Sequence, residues 1–517
     1  MRLTSRRPGT WLQARGQICL ARRPRQCHPC ASLRHETFSA TARAPRSLLT
    51  LAIETSCDDT CVALLSKHAD GSATLHYNKK HTSDNRECQG VNPVVAVGGH
   101  IESLGGLVAE CLPFLPDASP EEHGRTGSLA EDKTIQVQGR RKQKPDFISV
   151  TRGPGMLSNL TVGLMAAKGL ATAWQVPLLA VNHMQAHALT PQLITAMEKV
   201  KQAVVQKPGE VANDAPVPHI QAPAFPFLSL LVSGGHTLLV NSRGLNDHRI
   251  LASALTLAVG DALDKAARFI LPPDVLSGTD DVMYGRVLES FAFPTDGKTP
   301  PEYNYQAPKR RVDEMTTYVS PYGWKIMPPM QLSRRMAYEF AGIGSVIKNI
   351  LDKRPDMPLE ERRFLAQQTM RMMFEHLASR VIFALDDPAL GLGGKTTTRR
   401  SQYKIKKDDE PEEVAPLADP AARVKTLVVS GGVASNRFLM HVLRSILDVR
   451  GYSDIKVIAP PPALCTDNAA MIAWTGMEMY EAGYASELTV TPIRRWPLDP
   501  TGEDGGILGV DGWNKRT

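Results

Sequence analysis

The feature that most constrains this chain is a device it uses twice. Residues 48–53 form an apolar run that enters the polar turn ETSCDDT (54–60) and leaves through the apolar residues 62–65. Residues 227–232 do the same through SGGHT (233–237) and 238–240. Each reads as a strand, a tight polar turn and a returning strand. Strand-to-helix units follow both. Residues 146–151 run into RGPG (152–155) and a small-residue helix over 160–174, and residues 176–181 end at Asn182, a good helix N-cap. Residues 426–429 run into SGG (430–432) and a helix from about 434 to 447. Two such hairpins, each followed by alternating strands and helices, predict a duplicated α/β fold with a central cleft between its lobes.

The first lobe is expected over 47–190, with the C-terminal segment from about 485 to 517 returning to it. A linker or insertion follows at 191–223, and the second lobe occupies 224–484 with a charged insertion at 395–423. The polar stretches 119–144 and 199–222 and the mixed-charge run 395–413 read as solvated mobile loops.

The net charge of +7 is misleading, because of 60 basic and 53 acidic residues, ten Arg and only Glu36 lie in residues 1–46. That segment carries +9 and the remainder, with 50 basic and 52 acidic residues, carries −2. A near-neutral body must bind any nucleic acid through local patches. Arg-rich, Ser/Thr-containing and nearly free of acid, residues 1–46 have the composition of a mitochondrial transit peptide. A basic RNA-binding tail is the alternative. The pair Cys27 and Cys30 has no second pair at zinc-finger spacing, and the other six Cys are scattered, as expected of free thiols in a reducing compartment. No run of about 18 apolar residues is present, so no membrane span is expected.

His183 and His187 lie four apart at the start of a helix, which puts both imidazoles on one face, able to grip one cation or simply to face solvent. The residue after His183 is Met184 rather than the Glu a zinc protease needs. Asp467 is a candidate third ligand, and equally a candidate N-cap. The turns at Ser233, Gly234, Gly235, His236 and Thr237 and at 430–436, ending in Asn436, follow strands and suit close approach to a phosphate or sugar. Tight structural turns would look the same. Asp58 and Asp59 sit in the first turn, where carboxylates bind a cation or steer a nucleophile. Asp264, in the second turn of the helical stretch AVGDALDKAARFI, could reach a ribose hydroxyl.

These pieces occur in order across nearly the whole body. With IETSCDDT (53–60), SVTRGPGMLSNLTVGLMAAKGLA (149–171), VPLLAVNHMQAHAL (176–189), LVSGGHT (231–237), GDALDKAARF (260–269), VVSGGVASNRFL (428–439), CTDNAAMIAW (465–474) and RRWPLD (494–499), the chain resembles the universal tRNA threonylcarbamoyladenosine transferase family, and its mitochondrial branch in particular. The resemblance implies a two-lobed, actin-like ATPase fold. It implies that His183, His187 and Asp467 hold one divalent metal ion per subunit, iron or zinc, and that Ser233–Thr237, Asp264, Gly285, Glu289 and Asn436 contact the nucleotide. Where many members carry acids, this chain has Val94, Thr256 and Leu257.

The reaction so implied moves a threonylcarbamoyl group from threonylcarbamoyl-AMP, supplied by a separate synthase, to the N6 amine of adenosine 37 in mitochondrial tRNAs reading ANN codons, releasing AMP. Asp58 is the expected catalytic residue, steering the amine. The resemblance also implies a homodimer in the mitochondrial matrix, off the membrane. The alternatives are an actin-fold small-molecule kinase or ATPase, whose magnesium would be held by carboxylates, and a nucleotide-switched binding protein.

Overall fold

A computed structural model describes residues 47–85, 90–118, 133–205, 222–278, 284–295, 301–393 and 423–516. The transit-peptide segment 1–46, the Cys27–Cys30 pair, most of the charged insertion at 395–423, and residues 119–132 and 206–221 of the other insertions lie outside these.

The chain is α/β. Its first sheet opens with an antiparallel meander, β1 (Leu48–Glu54), β2 (Asp59–Lys67) and β3 (Ala73–Thr82). After α1 (Pro93–Cys111) and the hairpin β4 (Thr134–Val137) and β5 (Arg140–Gln143) come β6 (Phe147–Gly153), α2 (Leu157–Trp174), β7 (Leu178–Asn182) and α3 (His183–Val205). β6 pairs parallel with β1, and β7 with β6.

The second sheet repeats this order. β8 (Phe227–Val232), β9 (Thr237–Gly244) and β10 (Asp247–Ala254) form the meander. Then come α4 (Val259–Ile270), α5 (Pro273–Ser277), α6 (Tyr284–Ala292), α7 (Arg311–Glu314), the short pair β11 (Tyr318–Val319) and β12 (Lys325–Ile326), and the edge strand β13 (Ala337–Tyr338). After α8 (Ala341–Asp352) and α9 (Leu359–Asp386), β14 (Thr426–Ser430) pairs parallel with β8, α10 (Arg437–Val449) follows, and β15 (Lys456–Ile458) pairs parallel with β14. The chain then runs through α11 (Pro462–Cys465) and α12 (Ala469–Glu481) to β16 (Tyr484–Ser486) and β17 (Trp513–Lys515), which extend the first sheet beyond β7.

The inner strands of both meanders are buried on both faces, which is why they read as continuous apolar runs. Strand alternation sorts β1 between two cores. Leu49, Leu51 and Ile53 pack with Leu104, Leu107, Leu164 and Ala167 of α1 and α2. Ala52, on the opposite face with Glu54, packs with Ala186 and Leu189 of α3 and Ala469–Ala473 of α12. Gly476 lets α12 lie close on β6, since a Cβ there would meet Ser149 Oγ at 2.2 Å.

Three sequence expectations differ from this arrangement. α12 packs in the core of the first sheet, so the chain rejoins that sheet before 484. The hydrophobic stretch AAMIAW needs a covered face, and the first sheet provides it. α3 runs through Pro191 to Val205, into the stretch read as linker. Residues 133–144, read as loop, form the hairpin β4–β5, because Gln138 and Gly139 both take positive φ, the geometry of a two-residue turn. The segment Pro93–Phe114 is long and apolar enough to cross a membrane, a stretch the apolar-run criterion did not flag. Here α1 packs beside β2 and α2, with Ala96, His100, Leu104, Leu107 and Cys111 buried.

Candidate active site

The end of β7 builds the first half of the site. Asn182 Oδ1 accepts from Met184 N at 3.0 Å and Gln185 N at 3.2 Å, capping α3 and fixing His183 and His187 one turn apart. Their rings stand 4.7 Å apart and nearly perpendicular. Asp467 arrives from the loop before α12. It is not the cap of that helix: Asn468 is, accepting from Met471 N at 3.0 Å. The Asp467 carboxylate is thereby left to approach His187 Nε2 at 3.1 Å and His183 Nε2 at 3.5 Å. One ligand atom from each of the three lies within 4.8 Å of the others.

Glu54, which sequence reasoning did not single out, completes the cluster. It is fully buried at the end of β1, on the face that meets α3. Its Oε2 accepts from His183 Nδ1 at 3.1 Å and from Thr151 Oγ1. That bond holds the proton on Nδ1 and turns Nε2 toward Asp467, the way outer carboxylates orient metal-binding histidines. His187 Nδ1 has no such partner among the described residues. Burial alone would depress His183, yet Asp467 and Glu54 raise its imidazole to about 9. Burial would raise Asp467, yet His183 and His187 hold it well below the usual carboxylate range. One buried and one partly buried carboxylate around two imidazoles make a pocket that favours a cation, and nitrogen and oxygen donors at this spacing suit a transition metal or zinc.

Asp59 is tied to the same region. Lys80 Nζ reaches its carboxylate at 2.7 Å and Thr466 Oγ1 at 3.3 Å, and Thr82 donates to it as well. Asp58 lies within electrostatic reach of Asp467, half-buried beside Asn85 Nδ2 at 3.4 Å. Burial and the neighbouring Asp59 raise its carboxyl above the ordinary value.

On the other side lies the turn between β8 and β9. Ser233 Oγ accepts from His236 N at 3.0 Å, closing it. Cβ atoms built on Gly234 or Gly235 would meet nothing within 4 Å, so the outer face of this turn is open. Gly260 is needed beneath it, because a Cβ there would come within 2.6 Å of Ser233 O. Thr237 Oγ1 accepts from Val259 N at 2.8 Å, joining the turn to α4. His236 lies within electrostatic reach of His183 and His187. Its imidazole is lowered to about 4 by burial and then by those two rings, so it is neutral.

Asp264, Gly285, Glu289 and Asn436 form one chain of contacts. Asp264 Oδ1 accepts from Gly285 N at 2.7 Å, at the start of α6. Glu289 Oε1, from the same helix, accepts from Phe438 N at 3.0 Å. Asn436 caps α10 by accepting from Leu439 N at 2.9 Å. Burial raises the Glu289 carboxyl. Thr256 donates to Glu339 Oε1 at 2.6 Å, so an acid from the segment before α8 stands against this position.

The fold and site thus define an α/β protein whose candidate metal centre lies beside an open glycine turn. Residues 114–202 and 213–474 match the family described as TsaD, tRNA N6-adenosine threonylcarbamoyltransferase. The chain is 32% identical over 92% of its length to the mitochondrial tRNA N6-adenosine threonylcarbamoyltransferase of Schizosaccharomyces pombe, covering 91% of that protein. It is 29% identical over 89% of its length to the tRNA N6-adenosine threonylcarbamoyltransferase of Agrobacterium fabrum, covering 96% of it, and 27% identical over 87% of its length to that of Brucella anthropi, covering 95%. The chain belongs to the tRNA N6-adenosine threonylcarbamoyltransferase family and is an enzyme of that kind. The kinase and nucleotide-switch alternatives are not favoured.

Proposed function

We propose that the chain transfers the threonylcarbamoyl group of threonylcarbamoyl-AMP to the N6 amine of adenosine 37 in mitochondrial tRNAs reading ANN codons. The observation that carries this reading is the convergence of His183, His187 and Asp467, with Glu54 behind His183, beside the open turn Gly234–Gly235. The described donors fit a divalent ion, iron or zinc. When bound, it supplies a positive anchor for the threonyl carboxylate and polarises the carbamoyl carbonyl. Glu54 keeps His183 in the ligating tautomer. The turn over 233–237 holds the adenylate phosphate through backbone N–H groups, and Asp264, Gly285, Glu289 and Asn436 line the nucleoside side. The N6 amine attacks the carbamoyl carbon, the bond from that carbon to the phosphate oxygen breaks, and AMP departs. Asp58, its carboxyl raised by burial, is suited to take the proton lost by the amine. No covalent enzyme intermediate is needed.

The repeated strand order of the two sheets supports a duplicated, actin-like pair of lobes, with this site in the cleft between them. The adenylate would come from a separate synthase. A homodimer is supported by the outer faces of α1 and α2, where Val94, Ile101, Leu157 and Met165 are exposed. The Arg-rich residues 1–46, together with the name of the Schizosaccharomyces pombe relative, support action in the mitochondrial matrix. The test incubates the purified chain with tRNA, threonine, bicarbonate, ATP and an adenylate-forming synthase, followed by nucleoside analysis. Modified adenosine should form with the wild type and not with His183→Ala, which should also lose bound metal while keeping its circular dichroism spectrum. Full activity in metal-free His183→Ala would refute the metal reading.

A further inference from the structure

Phe383, near the end of α9, has three guanidinium groups around its ring, with Cζ 4.9 Å (Arg334), 5.0 Å (Arg311) and 5.4 Å (Arg380) from the centroid. Arg311 pairs with Glu314 at 2.7 Å, and Arg450 binds the other oxygen of the same carboxylate. One acid therefore serves two of four guanidiniums. Among the described residues, neither Arg334 nor Arg380 has an ion-pair partner. Arg380 is fully buried, and its bonds run to neutral acceptors: Ala337 O at 3.0 Å, Ser379 Oγ at 2.7 Å and Met330 Sδ at 3.6 Å. The Tyr338 hydroxyl, also buried and within electrostatic reach of Arg380, has no hydrogen-bond partner among the described residues. A buried charge without a counter-ion is expensive to keep. What it supplies is a positive potential, directed here toward solvent through the exposed Arg334.

The place of this cluster in the fold matters as much as its charge. Arg380 grips β13, the outer strand of the second sheet. The next residue after β13, Glu339, is bonded to Thr256, three residues before Val259, whose N–H is held by Thr237 of the site's own turn. The cluster is thus linked, through three hydrogen bonds joined by short backbone stretches, to the turn that would hold the adenylate. Outside residues 1–46 the chain carries −2, so an RNA backbone must find local positive charge of this kind.

We propose that Arg334, with Arg380 and Arg311 behind it, binds a backbone phosphate of the tRNA substrate. The planar fork of Arg334 would take two phosphate oxygens, while the buried guanidinium deepens the potential without touching RNA. This rests on the tRNA-modifying activity of the family. The experiment measures binding of unmodified tRNA to the full chain over a range of salt, and transfer kinetics alongside. One phosphate contact contributes about 0.9 to the slope of log affinity against log salt on a B-form duplex, and about 0.7 on single strands. Arg334→Gln should reduce the slope by about that amount, weaken tRNA binding about tenfold, and raise the KM for tRNA while leaving kcat and the KM for the adenylate unchanged. Arg334→Lys should restore the slope, since charge is kept. Arg380→Met should weaken tRNA binding less than Arg334→Gln does, again without affecting the adenylate. A wild-type slope and KM in Arg334→Gln would overturn the proposal, as would an equal loss toward the adenylate, which would mark a fault in the fold. Because binding is read apart from transfer, a wild-type chain that bound tRNA without modifying it would count against the enzymatic reading, and the slope would still judge the contact.

Discussion

Replacing Glu54 by Gln keeps the shape of the site and removes one charge. Glu54 uses both oxygens as acceptors: Oε2 faces His183 Nδ1 at 3.1 Å and Thr151 Oγ1, and Oε1 faces Ser56 N at 2.5 Å. A carboxamide has one oxygen. If that oxygen faces His183, the new NH2 meets the Ser56 N–H and a buried hydrogen bond is lost, costing about 1–3 kcal/mol. If the NH2 faces His183, it forces the proton onto Nε2, and the ring cannot ligate through that atom. Bound metal selects the first arrangement, because only that one leaves Nε2 free to ligate. It leaves His183 able to bind, but without the carboxylate that made it a stronger donor. Losses of outer carboxylates of this kind cost about ten- to a hundredfold in metal affinity, or about 1.4–2.7 kcal/mol. Competition with a chelator of known affinity should show that drop for Glu54→Gln, and denaturant unfolding of the metal-free protein should show the smaller stability loss. A chelator midpoint equal to that of the wild type would refute the orienting role of Glu54.

Other outcomes follow from the same geometry. In the metal-free protein His183 titrates near 9, above the unfolded value of about 6.5. Its stabilising contribution is therefore complete below about pH 6.5 and is lost as pH rises through 9, so the denaturant midpoints of metal-free wild type and His183→Gln should converge over that window. Gly260→Ala puts a Cβ within 2.6 Å of the Ser233 carbonyl oxygen, which is backbone and cannot swing aside. It should destabilise the protein by about 1–3 kcal/mol and weaken AMP binding, read by calorimetry, while metal content stays the same. Ile101→Glu, on the exposed face of α1, should convert a dimer to monomer in sedimentation velocity; an unchanged sedimentation coefficient would place the interface elsewhere.

Much of this was legible in the sequence, and the boundary has physical causes. The two strand–turn–strand devices were readable because buried strands with polar turns leave a pattern within about fifteen residues. HxxxH was readable because helix periodicity alone puts two rings on one face, and Asn182 before it announces the cap. What failed were assignments that depend on where a helix docks. Nothing local in 469–481 says which sheet will cover it, and nothing local separates Asp467 from Asn468 as the cap, since both residue types serve. Asp467 could be paired with the histidines only through the family resemblance, because it lies 280 positions along the chain from His187. The Phe383 cluster draws on 311, 334 and 380, three segments with no shared motif, and was invisible for the same reason.

Glu54 shows where a sequence signal existed and went unused. It directly follows an apolar strand, and alternation puts it on the face of Ala52, not the face of Ile53. That face is sealed by α3 and α12. An ionised carboxylate sealed in this way is untenable alone, with an effective penalty of several kcal/mol, so a positive or hydrogen-bonding partner must meet it from the covering helices. Among the residues that α3 and the loop before α12 bring to that end of the sheet, His183 meets the requirement. Asp467 cannot, being itself an acid, and its approach makes the need for a cation greater. Two carboxylates brought from opposite ends of the chain onto one imidazole are a poor way to stabilise a fold. They are a sound way to hold a metal ion, whose charge answers both, and this asymmetry separates a binding centre from an ordinary buried ion pair.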